Sequence, residues 1–351
     1  MTRSNSTAPT SPSAERTRGK QRQNRAISTV VDVSICLLLI TASVVLIAVF
    51  LADDSTRHDS QIADETAQTL ATSTTTVEYS IQPVEQYDET GVFDDVEYED
   101  DRYERVRHGP LAQLLAAAAV ANLQLDGERL SDAGVEFEEG VDANVRSELL
   151  GANDAVHVLA RWEPYESATI HGEATAGDRP PDDADVSAAT LSVSSGFPTV
   201  SADDLAGTYD AENESFERTA EPIADAIVSG SFPNESTTIA LQGSDLDRDL
   251  ALYEYQRMGD ELGVEYDLEE GNLSRTSANV SAANEKLSSN LTETIAADLE
   301  ETFEPDIDEI ESELDAEYPE AEDEVTNAVD ELLVSAVATD DVTITVRAWN
   351  E

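Results

Sequence analysis

The stretch Val33–Ala52 has the sequence VSICLLLITASVVLIAVFLA, twenty residues without a charged side chain. Its polar members, Ser34, Thr41 and Ser43, carry hydroxyls that can bond back to helix carbonyls. Twenty residues of α-helix rise about 30 Å, which matches the hydrocarbon core of a bilayer. The stretch therefore predicts one transmembrane helix over residues 27–52, and this helix divides the chain into two parts on opposite sides of a membrane.

Charge differs sharply between these two parts. Residues 1–26 carry six basic residues and one acidic residue, a net of +5, whereas the chain from Asp53 onward carries 14 basic and 73 acidic residues, a net of −59. Short basic flanks of a transmembrane helix stay in the cytoplasm. We therefore expect a single-pass protein of the cell membrane, with a disordered basic cytoplasmic leader over 1–26 and an extracellular acidic domain.

The composition favours a salt-rich habitat. The whole chain has 75 acidic and 20 basic residues, a net charge of −55, and its only lysines are Lys20 and Lys286. High salt shortens the Debye length and relieves self-repulsion of this size. We predict a halophilic archaeal source. The alternative is an acidic disordered tail in an ordinary organism, but acid is spread through the whole body among persistent apolar runs. This charge argues against nucleic-acid binding outside the membrane.

The body divides into two predicted regions. Residues 53–108 are expected to form a stalk that continues the membrane helix, followed by an irregular acidic segment with one short strand near 77–81. Residues 109–351 are expected to form an extracellular α+β domain with a helical excursion over 217–337. Cys36, in the uncharged stretch, is the single cysteine of the sequence, so no intramolecular disulfide can form.

Within the domain, changes of hydrophobic period predict the elements. Pro110 opens a helix that is expected to reach Asp126-Gly127. A period of two then predicts three strands in an antiparallel meander, and a last strand that joins the same sheet. The predicted helices are 143–150, 221–228, 246–262, 278–303, 305–318 and 319–337, and the predicted strands are 155–162, 168–174, 186–193 and 341–349. The fold class is α+β, with a small, mainly antiparallel sheet and several helices.

Sequence motifs for metal binding or catalysis are weak. No histidine pair has the spacing of a helical zinc site. Asp245, Asp247 and Asp249 resemble the start of a calcium loop, but Leu250 stands where the loop needs glycine and Gln256 where it needs glutamate. We therefore expect no cofactor and no enzymatic activity.

One surface motif recurs. Asn-x-Ser/Thr, the acceptor motif of N-glycosylation, occurs five times within 78 residues on the predicted outer side of the membrane. The alternative is that the motif occurs by chance in a chain rich in serine and threonine. The density of five motifs within 78 residues favours a glycosylated face. The candidate acceptors are Asn213, Asn234, Asn272, Asn279 and Asn290.

Asp32 places a charge near the start of the predicted membrane helix. Charge inside a bilayer is costly and commonly functional. Asp32 lies seven residues after Arg25, about 10 Å along a helix, so its carboxylate could also reach the cytoplasmic interface. Both interpretations of Asp32 remain open.

The sequence Arg25–Val33, RAISTVVDV, resembles the start of haloarchaeal type IV pilins and pilin-like proteins. In that family a basic residue and a glycine or alanine precede the cut made by a prepilin peptidase. The resemblance implies a class III signal peptide, with Arg25 and Ala26 before the cut and Ile27 after it. Thr29 and Asp32 stand where the family usually has proline and glycine.

The same resemblance implies that the membrane helix is retained and can self-associate in the membrane or in a filament core. The new α-amine of Ile27 could then pair with Asp32 of a neighbouring copy. Three further segments resemble haloarchaeal membrane proteins of unknown function that accompany type IV pilus or Tad-like secretion genes. They are 109–121, 160–165 and 180–193.

These observations predict a membrane-anchored, pilin-like surface protein, a minor or accessory subunit of a type IV pilus-like assembly. Its expected partners are the membrane, a prepilin peptidase and pilus or secretion components. The alternative is an unprocessed bitopic envelope protein whose outer domain binds a cell-surface partner. A membrane-tethered enzyme is a third interpretation, and the missing site signatures disfavour it.

Overall fold

The structure is a computed structural model. It describes residues 59–93, 98–149, 155–210, 215–267, 271–317 and 322–349. The predicted leader and membrane helix, with Arg25, Ala26, Ile27 and Asp32, lie outside these ranges. Among the described residues, no helix combines the length and the apolar character needed to cross a bilayer.

The described residues alternate between helices and strands, with one 3₁₀ turn at Asp100–Arg102. The α-helices are α1 (Asp59–Thr72), α2 (Pro83–Gln86), α3 (Leu111–Ala121), α4 (Val135–Leu149), α5 (Ala202–Leu205), α6 (Glu217–Ser231), α7 (Asn234–Gln242), α8 (Leu246–Leu262), α9 (Val280–Glu317) and α10 (Glu322–Ala336). The strands are β1 (Thr74–Ser80), β2 (Glu104–Pro110), β3 (Leu123–Leu125), β4 (Glu128–Arg129), β5 (Ala155–Trp162), β6 (Ile170–Gly177), β7 (Val186–Ser194) and β8 (Asp341–Trp349). The predicted α+β class with antiparallel sheets is confirmed.

The main sheet has the strand order β4-β3-β6-β5-β8-β7, and its pairs are antiparallel. The predicted meander is correct for β5 and β6 but wrong for β7. β7 pairs with β8, from Val186↔Trp349 to Ser194↔Asp341, and β8 lies between β7 and β5. The physical reason is burial: Ile344 and Val346 of β8 are fully buried, whereas β7 alternates buried residues with exposed ones and suits an edge.

The predicted start of the domain at residue 109 is too late. Helix α1 buries Ala63 and Leu70 and packs on β7 and β8, and β1 pairs with β2 along its whole length. Residues 59–108 therefore belong to the same compact unit as the rest, His58–Glu351. The weak apolar pattern of α1 is sufficient because small alanine side chains allow the helix to lie close to the sheet.

The acidic segment that the sequence leaves unassigned is held by aromatic residues. Phe93 and Tyr103 are buried in a second apolar cluster together with Leu246 and Tyr253 of α8. The Tyr103 hydroxyl donates a hydrogen bond to Glu85 at 2.7 Å. Buried tyrosines need such partners, so neighbouring carboxylates help to order this segment.

Helix α3 ends earlier than predicted. It stops at Ala121, and Asp126-Gly127 forms the turn of the β3–β4 hairpin rather than a helix end. Both turn residues have positive φ, 52° and 86°, the geometry of a type I′ hairpin turn. Gly172 of β6 allows α3 to approach the sheet, because a Cβ there would lie 2.2 Å from the carbonyl oxygen of Ala119.

Helix α9 is continuous where the sequence predicts two helices separated at Pro305. A proline inside a helix costs about 3 kcal/mol or more. The apolar stripe Leu287, Leu291, Ile295, Leu299, Phe303 and Ile307 runs through the proline at a spacing of four and is buried along its length. Packing of this stripe, largely against α6, offsets the missing backbone hydrogen bond.

Candidate functional site

Four of the five predicted glycosylation acceptors fall within the described residues, and Asn213 lies outside them. Asn234 is exposed at the first position of α7, and Asn279 is exposed directly before α9. The hydroxyl of Ser281, which completes the Asn279 motif, donates a hydrogen bond to Asn234 Oδ1 at 3.4 Å. The fold thus brings two acceptor motifs together that are 45 residues apart in sequence.

The other two acceptors are less accessible. The Asn272 motif ends in Ser274, which is buried and hydrogen bonded to Ser277 at 2.7 Å. Asn290 lies within α9, where its Nδ2 donates to the Lys286 carbonyl oxygen at 2.9 Å. The structure therefore separates the predicted set into two open sites and two hindered sites.

A polar groove of about 1130 Å³ runs between α6 and α9, and Asn234 and Ser281 are among its lining residues. Glu217, Glu221 and Glu285 also line it. Carboxylates that face solvent in this way commonly form a hydrated surface, and the groove shows no enclosed binding geometry.

A second cavity, here called the central pocket, has a volume of about 410 Å³. It is lined by residues of β1, β2, β3, α3, α4, α8 and the C-terminal end of α6. Most of the residues that line it are apolar, and Tyr79, Phe137, Phe197 and Phe232 contribute aromatic rings. This size and this lining are typical of sites for small molecules.

Glu254 is the one carboxylate that lines the central pocket among the described residues. Its side chain makes no hydrogen bond or ion pair within the described ranges, and burial raises the pKa of Glu254 to about 7. Leu250, Glu254 and Met258 follow one another at a spacing of four on α8 and share the pocket-facing side of the helix. The spacing was visible in the sequence, but only the fold shows that this side of α8 lines a cavity.

Two further features add hydrogen-bond acceptors or partial negative charge to the lining of the pocket. The Oγ atom of Ser231 is buried and has no hydrogen-bond partner in the described part of the chain. Gly230 and Ser231 are the last residues of α6 and line the pocket. Carbonyl groups at a helix C-terminus carry partial negative charge and attract cations.

The two arginines that line the pocket both contact other groups of the protein. Arg105 donates to Asp247 at 2.9 Å and to the carbonyl oxygen of Arg102 at 2.7 Å. The Arg107 guanidinium lies over the Phe137 ring, 5.3 Å from its centroid. Asp245 pairs with Arg102 at 3.3 Å and Asp249 accepts from Tyr98 at 2.7 Å, so the aspartates of the rejected calcium motif serve protein contacts.

The comparisons with known proteins give a family without an assigned activity. The sequence model described as "Family of unknown function (DUF7284)" matches residues 31–349. This match includes the uncharged stretch Val33–Ala52 together with all the strands and helices described above. No curated protein and no solved structure matches the chain significantly.

We predict that Glu254→Gln stabilises the protein above neutral pH. The folded-state pKa of about 7 exceeds the usual 4.5, so the folded protein holds a proton that the unfolded chain has lost between these values. The unfolding free energy therefore falls as pH rises from about 4 to 7. The gain from glutamine should be on the order of 2–3 kcal/mol at pH 8 and vanish near pH 4.

Thermal unfolding of the two proteins, followed by circular dichroism at pH 4 and pH 8, checks this expectation. Asp260→Asn is the matched control, because Asp260 is exposed on the same helix, and it should change stability equally little at both pH values. An equal effect of Glu254→Gln at pH 4 and pH 8 would contradict the assignment.

Proposed function

This chain belongs to DUF7284, a family of unknown function, and we propose that it is a single-span membrane protein with an extracellular α+β domain. We further propose that it enters the pilin pathway as a minor or accessory subunit of a type IV pilus-like assembly. The observation that carries the proposal is the uncharged stretch Val33–Ala52, with a net charge of +5 before residue 27 and −59 from Asp53 onward. Such an asymmetry fixes the orientation of a membrane helix.

Two features support the view that the anchor and the domain act as one protein. The family match covers both the uncharged stretch and the domain. Only six residues separate Ala52 from Asp59, the first residue of α1, in sequence. Because α1 packs on the sheet, no long linker stands between the proposed anchor and the folded domain.

The first experiment is N-terminal sequencing of the protein recovered from membranes, with and without an active prepilin peptidase. We predict an N-terminus at Ile27 that depends on the peptidase. Ala26→Leu should block the cut because it enlarges the residue before the cleavage point, and Ala42→Leu within the uncharged stretch should leave it intact. An intact Met1 or Thr2 in the wild type would instead favour the unprocessed bitopic protein.

Asp32 is the next residue to test in this pathway. A carboxylate near the α-amine of a neighbouring Ile27 can form a charge pair inside an apolar bundle. Asp32→Asn should therefore leave cleavage unchanged and reduce the association of tagged and untagged copies in membranes. Unchanged association and membrane retention would count against the pairing.

We propose N-linked glycans at Asn234 and Asn279, in keeping with an extracellular domain. Both side chains are exposed, and neither Nδ2 donates a hydrogen bond within the part of the chain that the structure describes. An acceptor asparagine must be reached by the transferring enzyme, so open sites are favoured over the hindered Asn272 and Asn290.

Mass spectrometry of glycopeptides from the native source should find modification at Asn234 and Asn279 and little at Asn272 or Asn290. Ser281→Ala removes the Asn279 motif and should abolish modification there, whereas Ser289→Ala, an exposed residue outside any motif, should change nothing. Bare Asn234 and Asn279 in membrane-derived protein would contradict the proposed face.

A further inference from the structure

We propose that the central pocket binds an organic ammonium ion, a small amine with an apolar body. The aromatic and aliphatic walls would take the body, and the carboxylate of Glu254 and the hydroxyl of Ser231 would accept hydrogen bonds from the ammonium group. This inference concerns the folded domain alone and does not depend on the proposed membrane topology or on cleavage.

The unpartnered polar groups of the pocket favour a positively charged ligand. Glu254 makes no hydrogen bond or ion pair in the described ranges, and Ser231 Oγ is buried without a partner. Both atoms can accept a hydrogen bond, and an ammonium group offers three donors. The C-terminal end of α6, at Ser231, also adds partial negative charge to the pocket lining.

The aromatic side chains are a second, independent argument for a cation. Phe197 and Phe232 line the pocket together with Tyr79 and Phe137, and aromatic faces attract cations through their quadrupole. Phe137 already carries the Arg107 guanidinium, 5.3 Å from its centroid. One face of Phe232 is stacked on Tyr255, with the ring centroids 4.0 Å apart, so a ligand cation would use the remaining aromatic faces. The net charge of −55 also raises the local concentration of cations around the protein.

An anionic ligand fits the pocket less well. Arg105 already donates to Asp247, so an anion would have to compete for it, and the unpartnered Glu254 would repel an anion's charge. Arg107 is stacked on Phe137 and keeps its in-plane N–H donors, and the anionic probe described below tests that alternative. A metal ion is also disfavoured, because hard divalent cations take six or more oxygen ligands and the described lining offers one carboxylate. An organic cation with an apolar body satisfies both the polar end and the apolar walls.

The position of Glu254 is consistent with a binding role. A partly buried carboxylate without a partner destabilises the fold, and replacement by a neutral side chain would remove that cost. Ionisable groups in such an environment, in a cavity, are candidates for functional sites. The other titratable groups that line the pocket are Tyr79, Arg105 and Arg107.

The test uses three probes that share a phenyl body and differ in charge: phenethylamine, 3-phenylpropionate and 2-phenylethanol. Their binding to the purified full-length chain is measured by calorimetry at one salt concentration and pH 8. Phenethylamine should bind at least about tenfold more tightly than the other two, since a hydrogen bond to a charged group is worth this much or more. Stronger binding of 3-phenylpropionate, or no binding of phenethylamine, would overturn the proposal.

Two variants locate the site. Glu254→Gln should weaken phenethylamine binding roughly tenfold or more, and Asp260→Asn, an exposed carboxylate on the same helix, should leave it within about twofold. Ala117→Leu adds volume to the pocket wall and should abolish binding while the far-ultraviolet spectrum stays native. Unchanged phenethylamine affinity in either Glu254→Gln or Ala117→Leu would place binding elsewhere and refute the assignment.

Discussion

The position of the C-terminal strand constrains the whole folded unit. β8 lies between β5 and β7 and pairs with both, so the sheet cannot be completed until the last residues of the domain are in place. The first helix is tied to the same strands, because Ala63 of α1 contacts Ala189 of β7 and Ala348 of β8. The two ends of residues 59–349 are therefore joined in one core, and we expect them to fold and unfold together.

The unusual charge of the chain affects its surface more than its core. Several arginines of the described residues form pairs such as Arg146–Asp142 and Arg102–Asp245 at the protein surface. Exposed pairs of this kind contribute little to stability, typically below about 1 kcal/mol each. The fold depends instead on a contiguous apolar core that runs from the sheet through α3 to the helical layer of α6–α10. High salt would lower the repulsion between surface carboxylates without altering this core.

Elements with a strong period could be predicted from the sequence. β5 at Ala155–Trp162 and α8 at Leu246–Leu262 have the predicted bounds, because alternation and helical spacing are local properties of the chain. Asp126-Gly127 is also a local signal for a hairpin turn. The apolar run before it extends the predicted helix past Ala121, where α3 ends.

Features that depend on distant residues could not be predicted. The position of β8 between β5 and β7, and the docking of α1 on the sheet, follow from packing across the whole domain. The same holds for the central pocket, whose lining residues come from seven separate strands and helices. Glu254 differs from the many other glutamates of the chain only by the cavity that it faces, and its environment is defined by the tertiary fold.

Labelling of one engineered cysteine in intact cells tests most directly whether the domain lies outside the membrane. The wild type has a single cysteine, Cys36, within the uncharged stretch, and Asp260 is exposed on α8, outside every acceptor motif. A membrane-impermeant maleimide should label Asp260→Cys fully in intact cells and leave both the wild type and a cytoplasmic control protein unlabelled. Labelling of Asp260→Cys only after lysis would place the domain in the cytoplasm and contradict the proposed orientation.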